Sequence, residues 1–209
     1  MKNVARWTAR KSTKQQGFTL IELMVVVVIV GALILIVMRS VGGNADNATA
    51  KALQASATEL GKGAGYLHVS LGNGISDLTA ANPLTATGKS VLDVLMEGRD
   101  AVSNTYQTRF DQLSMRSLDA NFTKTTSPAG WRLQNFPVQL LGSNTSGCLT
   151  GQAGPGKVCV VYQNVPTEVV RVLADSFGTP YASTAVTTGP IRWTAAANNQ
   201  QSVAFVVTP

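Results

Sequence analysis

The sequence predicts an α+β fold, in which a long N-terminal α-helix packs on a C-terminal antiparallel β-sheet. An uninterrupted apolar run at 18–38 and a following segment with apolar residues at three- and four-residue spacing predict the helix. Short segments after Pro128 with strand-like composition predict the sheet. No proline occurs before Pro83, so one helix of about fifty residues is compatible with the sequence.

Residues 1–17 form a polar, basic leader. Its charged residues are five cations without an acid: Lys2, Arg6, Arg10, Lys11 and Lys14. The whole chain has a formal net charge of +6, and removing these five cations leaves +1. Basic residues beside an apolar span stay on the cytoplasmic side of a membrane. The leader therefore predicts that the N-terminus lies on the cytoplasmic side of a membrane. The nearly neutral remainder of the chain gives no convincing sign of nucleic-acid binding.

Residues 18–41 are predicted to form a helix that spans a membrane. From Leu23 to Met38 no polar side chain occurs. At about 1.5 Å per residue, the run 18–38 is about 30 Å long, which matches the hydrocarbon core of a bilayer. It is longer than the apolar part of a secretory signal, and no small-residue cleavage site follows it directly.

Residues 42–69 are predicted to continue the helix in amphipathic form onto a globular head domain at 70–209. Gly42 and Gly43 are the expected helix break, because each glycine costs about 1 kcal/mol in a helix interior relative to alanine. Two apolar stripes follow this pair. One stripe consists of Ala45, Ala48, Ala52 and Ala55 and ends at Glu59. The adjacent stripe consists of Leu53, Ala57 and Leu60.

The head domain is predicted to contain two short helices and an antiparallel sheet after an initial loop. The predicted elements are a loop at 70–90, helices at 89–97 and 166–174, and strands at 130–141, 157–163, 190–194 and 202–207. The last two strands frame a polar turn and are expected to form a hairpin.

Glu22 lies inside the apolar segment. A charge at membrane depth costs at least about 2.5–3.5 kcal/mol, so such a residue usually has a partner and a function. Cleavage after Gly17 would free an α-amino group on Phe18, and this cation on a neighbouring subunit would neutralise Glu22. Such a head-to-tail contact is heterologous and propagates as an open helical filament.

Cys148 and Cys159 are the two cysteines of the chain. In a chain that leaves the cytoplasm, such a pair is more typical of a disulfide than of a metal site. The alternative is that both stay reduced. With His68 as the single histidine, they cannot complete a usual zinc site. Since no catalytic or phosphate-binding spacing is apparent, we expect no metal, no cofactor and no enzymatic activity.

The residues KQQGFTLIELMVVVVIVGALILIV, from Lys14 onward, resemble the class III prepilin signature of type IV pilins and type II secretion pseudopilins. The resemblance holds almost residue by residue over 11–40. Beyond residue 40 it concerns only the predicted architecture. It implies cleavage between Gly17 and Phe18 by a prepilin peptidase that also N-methylates Phe18. It further implies a role for Glu22 in subunit docking, and a pilin fold with a disulfide for which Cys148 and Cys159 are the candidates.

The resemblance implies a structural subunit, the major pilin of a type IV pilus. Expected partners are further copies of the chain, the prepilin peptidase, an assembly platform with its motor ATPase and inner-membrane lipid. Before assembly the protein would cross the inner membrane once with a cytoplasmic N-terminus; afterwards it would lie in an extracellular pilus. A minor pilin, a pseudopilin and a membrane-anchored periplasmic enzyme or binding protein are the alternatives.

The subclass stays open between type IVa and type IVb. Phe18 resembles type IVa, whereas the seventeen-residue leader is longer than usual there. Many type IVa pilins place proline where this chain has Arg39.

Overall fold

A computed structural model describes residues 20–72, 74–79, 82–113, 115, 118, 121–127 and 129–209. The side chains of residues 20 and 35–42 are outside this description. The chain divides into two units with the boundary between Gly43 and Asn44. The second unit therefore contains both the predicted amphipathic segment from Asn44 onward and the sheet.

Helix α1 runs from Leu20 to Leu71. The helix continues through Gly42 and Gly43. The prediction that this pair interrupts the helix is therefore wrong. Glycine retains its backbone N–H and leaves the i to i−4 hydrogen bonds intact, whereas proline would remove one. A hinge at the pair stays a prediction.

In the first unit, the described side chains from Ile21 to Ile34 are all exposed. No helix among the described residues meets the combined length and apolarity required for a membrane span. The predicted span also includes Phe18, Thr19 and the side chains at its C-terminal end, which lie outside the described part.

In the second unit, α1 buries one apolar stripe. Its buried members recur at alternating intervals of three and four residues: Ala50, Leu53, Ala57, Leu60, Ala64, Leu67 and Leu71. The predicted stripe of Leu53, Ala57 and Leu60 is thus part of the core. The predicted alanine stripe is not, because Ala45, Ala48 and Ala55 are exposed.

Within the described residues, the sheet has six antiparallel strands in the order β1-β2-β3-β4-β6-β5. Their bounds are β1 Phe122–Thr126, β2 Ala129–Leu133, β3 Phe136–Leu141, β4 Val158–Pro166, β5 Ile191–Trp193 and β6 Gln200–Val207. The expected hairpin of the last two strands is confirmed. The strand expected at 130–141 is instead two strands, which turn at Gln134 with a left-handed φ of 55°.

Three shorter helices complete the described structure: α2 Val91–Glu97, α3 Asn104–Asp111 and α4 Thr167–Ser176. A 3₁₀ turn at Gly98–Ala101 follows α2. The sequence predicted α2 and α4 but not α3 or β1. Both missed elements are largely polar and bury one residue each, Phe110 and Phe122, so they lack the apolar periodicity on which sequence prediction depends.

Glycines in α1 allow the chain's last strand to approach the helix closely. A Cβ on Gly61 would lie 2.5 Å from Val207 Cγ1, and one on Gly65 would lie 2.3 Å from Pro209 Cβ. Both distances are shorter than atomic contact permits. The missing side chains therefore let the end of β6 and the residues that follow it pack against α1, and these contacts offset the low helix propensity of glycine.

We expect Gly61→Ala to lower the free energy of unfolding by about 1–3 kcal/mol, because the added methyl group overlaps Val207. Gly43→Ala is the matched control. A Cβ there has nothing within 4 Å, so better helix propensity should leave stability equal or higher. Chemical denaturation of the full chain in detergent measures both. Equal stability of the two variants would contradict the close-packing explanation.

Candidate functional site

Glu22 lies in the first turn of α1, where a negative charge interacts favourably with the helix dipole. Its neighbours in the described part of the first unit form an exposed apolar surface. Ile21 is 69% exposed and Val28 is 65% exposed. One acidic side chain is therefore set in a surface of Val, Ile and Leu side chains.

This apolar surface needs another apolar environment, because exposed patches of this kind mark contacts with protein or membrane. Its large members are Ile21, Leu23, Met24, Val25, Val26, Val27, Val28, Ile29, Val30, Leu33 and Ile34. Burial of each such side chain is worth about 1.5–3 kcal/mol. The surface therefore favours contact with lipid or with another apolar protein surface over contact with water.

The predicted cleavage position falls outside the described residues. Gly17 and Phe18 precede the start of the described chain, so their geometry is not part of the site. Cleavage and N-methylation there stay predictions.

In the second unit, a disulfide joins Cys148 to Cys159, with the two Cα atoms 5.8 Å apart. The bond ties the loop between β3 and β4 to the first residues of β4. Both cysteines are fully buried in a small apolar cluster with Ala153, Val161 and Ala204. This cluster is separate from the main core, so the disulfide secures a loop over part of the sheet.

Arg192 on β5 also holds this loop. Its Nη1 donates hydrogen bonds to the carbonyl oxygens of Cys148, at 3.1 Å, and Gln152, at 3.0 Å. At its other end the loop is bound by the backbone, because Ser143 N–H donates to the Ile75 carbonyl at 2.9 Å. The loop is therefore fixed from β5 and from the segment that follows α1.

A charged cluster lies between α2 and the β1–β2 hairpin. Lys124 Nζ is 3.1 Å from Asp93 Oδ1 and also contacts Glu97 Oε1. Lys89 Nζ is 2.5 Å from Glu97 Oε2. Trp131 Nε1 donates to Asp93 Oδ1 at 3.0 Å.

These contacts hold the cluster in its charged form. Burial opposes the charge of Asp93, but hydrogen bonds from Ser90, Trp131 and Lys124 outweigh burial and lower its pKa to about 2. Burial likewise opposes the charge of Glu97, and Lys124 and Lys89 lower the pKa of this carboxyl. The hydrogen bond to Glu97 raises the pKa of Lys124. The carboxyl groups of Asp93 and Glu97 and the ammonium group of Lys124 are therefore stabilised in their charged forms.

The N-terminal segment decides the relationship of this chain to known proteins. The family model described as the prokaryotic N-terminal methylation motif matches residues 12–38. This motif is the one found in class III prepilin signals. The match confirms the resemblance to type IV prepilin-like proteins, a group with structural rather than enzymatic roles. No curated protein and no solved structure matches the chain.

The matched motif covers Glu22 and the exposed apolar surface but ends before the second unit. The α+β architecture of a long helix and an antiparallel sheet is consistent with a pilin fold, as expected. Within the described residues, no group of three or more His, Cys, Asp or Glu side chains is arranged to hold a metal ion.

The sequence analysis did not single out Arg192 or the charged cluster of the second unit. Arg192 lies between the buried residues Ile191 and Trp193 on β5. Because side chains alternate along a strand, this position indicates that Arg192 lies on the other face of the sheet. Its carbonyl partners lie some forty residues earlier in the chain and have no sequence signal. The partners of Lys124 are likewise distant in the chain and have no sequence signal. In addition, β1 itself was not predicted.

We expect replacement of both Cys148 and Cys159 by alanine to lower the free energy of unfolding by about 2–3 kcal/mol, because the disulfide no longer restricts the unfolded chain. Hydrogen exchange should accelerate most at 142–157. Denaturation with and without reductant checks the origin of the effect. Reductant should weaken the wild type and leave the double variant unchanged; a wild type that is insensitive to reductant would contradict the prediction.

Proposed function

We propose that this chain is the major subunit of a type IV pilus and that it polymerises through α1 after removal of residues 1–17. The observation that carries the proposal is Glu22 within the exposed apolar surface of α1, inside the matched methylation motif. A surface of this composition is suited first to a bilayer and then to a bundle of identical helices.

The proposed docking contact joins Glu22 to the methylated α-amino group of Phe18 on a neighbouring subunit. In an apolar environment the attraction between these charges is much stronger than in water, because the dielectric constant is lower. The charge pair would fix the axial position of one helix against the next. The surrounding apolar side chains would supply most of the contact area.

Before assembly, we propose, the segment 18–41 crosses the inner membrane with the basic leader in the cytoplasm. A prepilin peptidase then cuts after Gly17, and a platform with a motor ATPase extracts the subunit. Transfer removes the apolar side chains from lipid. Their burial among neighbouring helices offsets this loss, since each helix in a filament contacts several others.

A minor pilin or type II secretion pseudopilin is the second candidate, because the methylation motif is shared by these proteins. The nearly neutral chain that remains after removal of the leader favours the major subunit of a surface-exposed fibre. Abundance separates the candidates. A major pilin dominates the filaments sheared from cells, whereas the alternatives are minor or absent there.

Intact mass and N-terminal sequencing of sheared filaments test the processing step. We expect a chain that begins at methylated Phe18 with its two cysteines oxidised. Gly17→Ser should accumulate uncleaved precursor in the membrane, whereas Gln16→Ser should be processed normally. An intact leader in wild-type filaments, or normal processing of Gly17→Ser, would refute the proposed cleavage.

Glu22→Val should be inserted and cleaved normally but enter filaments on the order of tenfold less than wild type. Loss of about 1.4 kcal/mol of docking energy suffices for this factor. Immunoblots of the sheared and membrane fractions measure the ratio. Glu59→Val, which removes an exposed acid from the second unit, is the matched control and should assemble normally. Normal piliation by Glu22→Val would exclude the docking role.

A further inference from the structure

The sheet opens between β2 and β3. Their ladder contains three residue pairs and ends where Trp131 lies opposite Val138. Beyond this pair, β2 stays paired with β1 as far as Ala129, and β3 stays paired with β4 as far as Leu141. Residues of both strands line a cleft of about 760 Å³ in the second unit. This volume is in the range of small-ligand sites.

The accessible lining of this cleft is mainly polar. The large apolar side chains of Leu92, Val138 and Leu140 also line it, but each is at most 5% exposed. The polar side chains are half-buried or exposed, and they are those of Arg132, Gln139, Gln163 and Asn164. The cleft therefore suits a polar ligand.

Arg132 and Gln139 lie on the same face of the sheet. Each lies between two buried residues of its strand, so both side chains are on the face opposite the main core. Arg132 pairs with Pro137, two residues before Gln139, and such diagonal neighbours are within reach of long side chains. Gln163 follows the buried Tyr162 on the adjacent strand β4, which places it on this face as well.

An irregularity in β4 lies beside the same cleft. The register of β4 against β6 shifts between Tyr162 and Val165, and Asn164 has a left-handed φ of 60°. Asparagine adopts this conformation more readily than most residues because its short polar side chain can form local hydrogen bonds. Bulges of this kind re-aim side chains and are over-represented next to functional sites.

Arg132 carries the uncompensated charge of the cleft. The other cations that line it have acidic partners, since Lys124 Nζ is 3.1 Å from Asp93 Oδ1 and Lys89 Nζ is 2.5 Å from Glu97 Oε2. Among the described residues, Arg132 makes no hydrogen bond or ion pair. Its half-buried guanidinium therefore has five N–H donors in a planar fork, a geometry that matches a carboxylate.

We propose that this cleft binds an acidic saccharide and that Arg132 holds the carboxylate of a uronic acid residue. The single uncompensated cation is complementary to one carboxylate. Carboxamide groups donate and accept hydrogen bonds, as sugar hydroxyls do, so Gln139, Gln163 and Asn164 are suited to the rest of the ring. A peptide ligand fits this lining less well, because peptide recognition depends on pockets for side chains.

Titration of the full chain in detergent with sodium glucuronate, followed by heteronuclear NMR at constant ionic strength, tests the proposal. We expect shifts of the Arg132 Nε–H and of the side-chain amides of Gln139 and Gln163 that saturate below about 50 mM. Glucose has the hydroxyls without the carboxylate, and acetate has the carboxylate without the hydroxyls. Each should bind at least on the order of tenfold more weakly.

Variants assign the binding to the cleft. Arg132→Gln should weaken glucuronate binding on the order of tenfold or more, and Arg132→Lys should weaken it too, because lysine keeps the charge but loses the fork. Lys157→Gln is the matched control, since it removes an exposed cation outside the cleft and should bind as wild type does. Gln139→Ala, at an exposed position, should weaken binding and serves if Arg132→Gln fails to fold.

Four results would overturn the proposal. The first is the absence of saturable shifts in the wild type, and the second is undiminished binding by the folded Arg132 variants. The third is equal binding of acetate, which would indicate a site for any small anion. The fourth is equal or tighter binding of N-acetylglutamate, which would assign the cleft to an acidic peptide.

Discussion

The contact between one face of α1 and the sheet is the constraint on which the second unit depends. The buried stripe from Ala50 to Leu71 supplies the helix side of the main core. Within it, Ser56 Oγ and Tyr162 Oη are 2.7 Å apart and share a hydrogen bond, and Ser56 also donates to the Leu53 carbonyl. Burial raises the pKa of Tyr162, so this phenol stays neutral and the bond persists over a wide pH range.

The same helix has a different character in each unit. From Ile21 to Ile34 nearly every residue is apolar around the whole circumference, whereas from Ala50 onward the buried apolar residues form a single stripe. A helix that is apolar all round requires an apolar environment on every side, and a helix with one stripe requires it on one side. The change in pattern thus separates the proposed filament segment from the segment that supports the head.

Two sets of side-chain contacts fix parts of the second unit outside the main core. The disulfide and Arg192 fix the loop beyond β3 over part of the sheet, and the ion pairs of Lys124 link β1 to α2. These contacts limit the movement of the loop and of β1.

The sequence alone determined the helix, the position of Glu22, the class III signal and the α+β class, because each is encoded in a local run of residues or in a regular apolar period. It also predicted the β5–β6 hairpin, whose strands flank a short turn. Tertiary structure alone decided which stripe of α1 is buried, since the alanine stripe and the leucine stripe have the same period. It also decided the polar elements α3 and β1, and the partners of Lys124 and Arg192. These features depend on contacts between residues distant in the chain, and such contacts leave no local pattern.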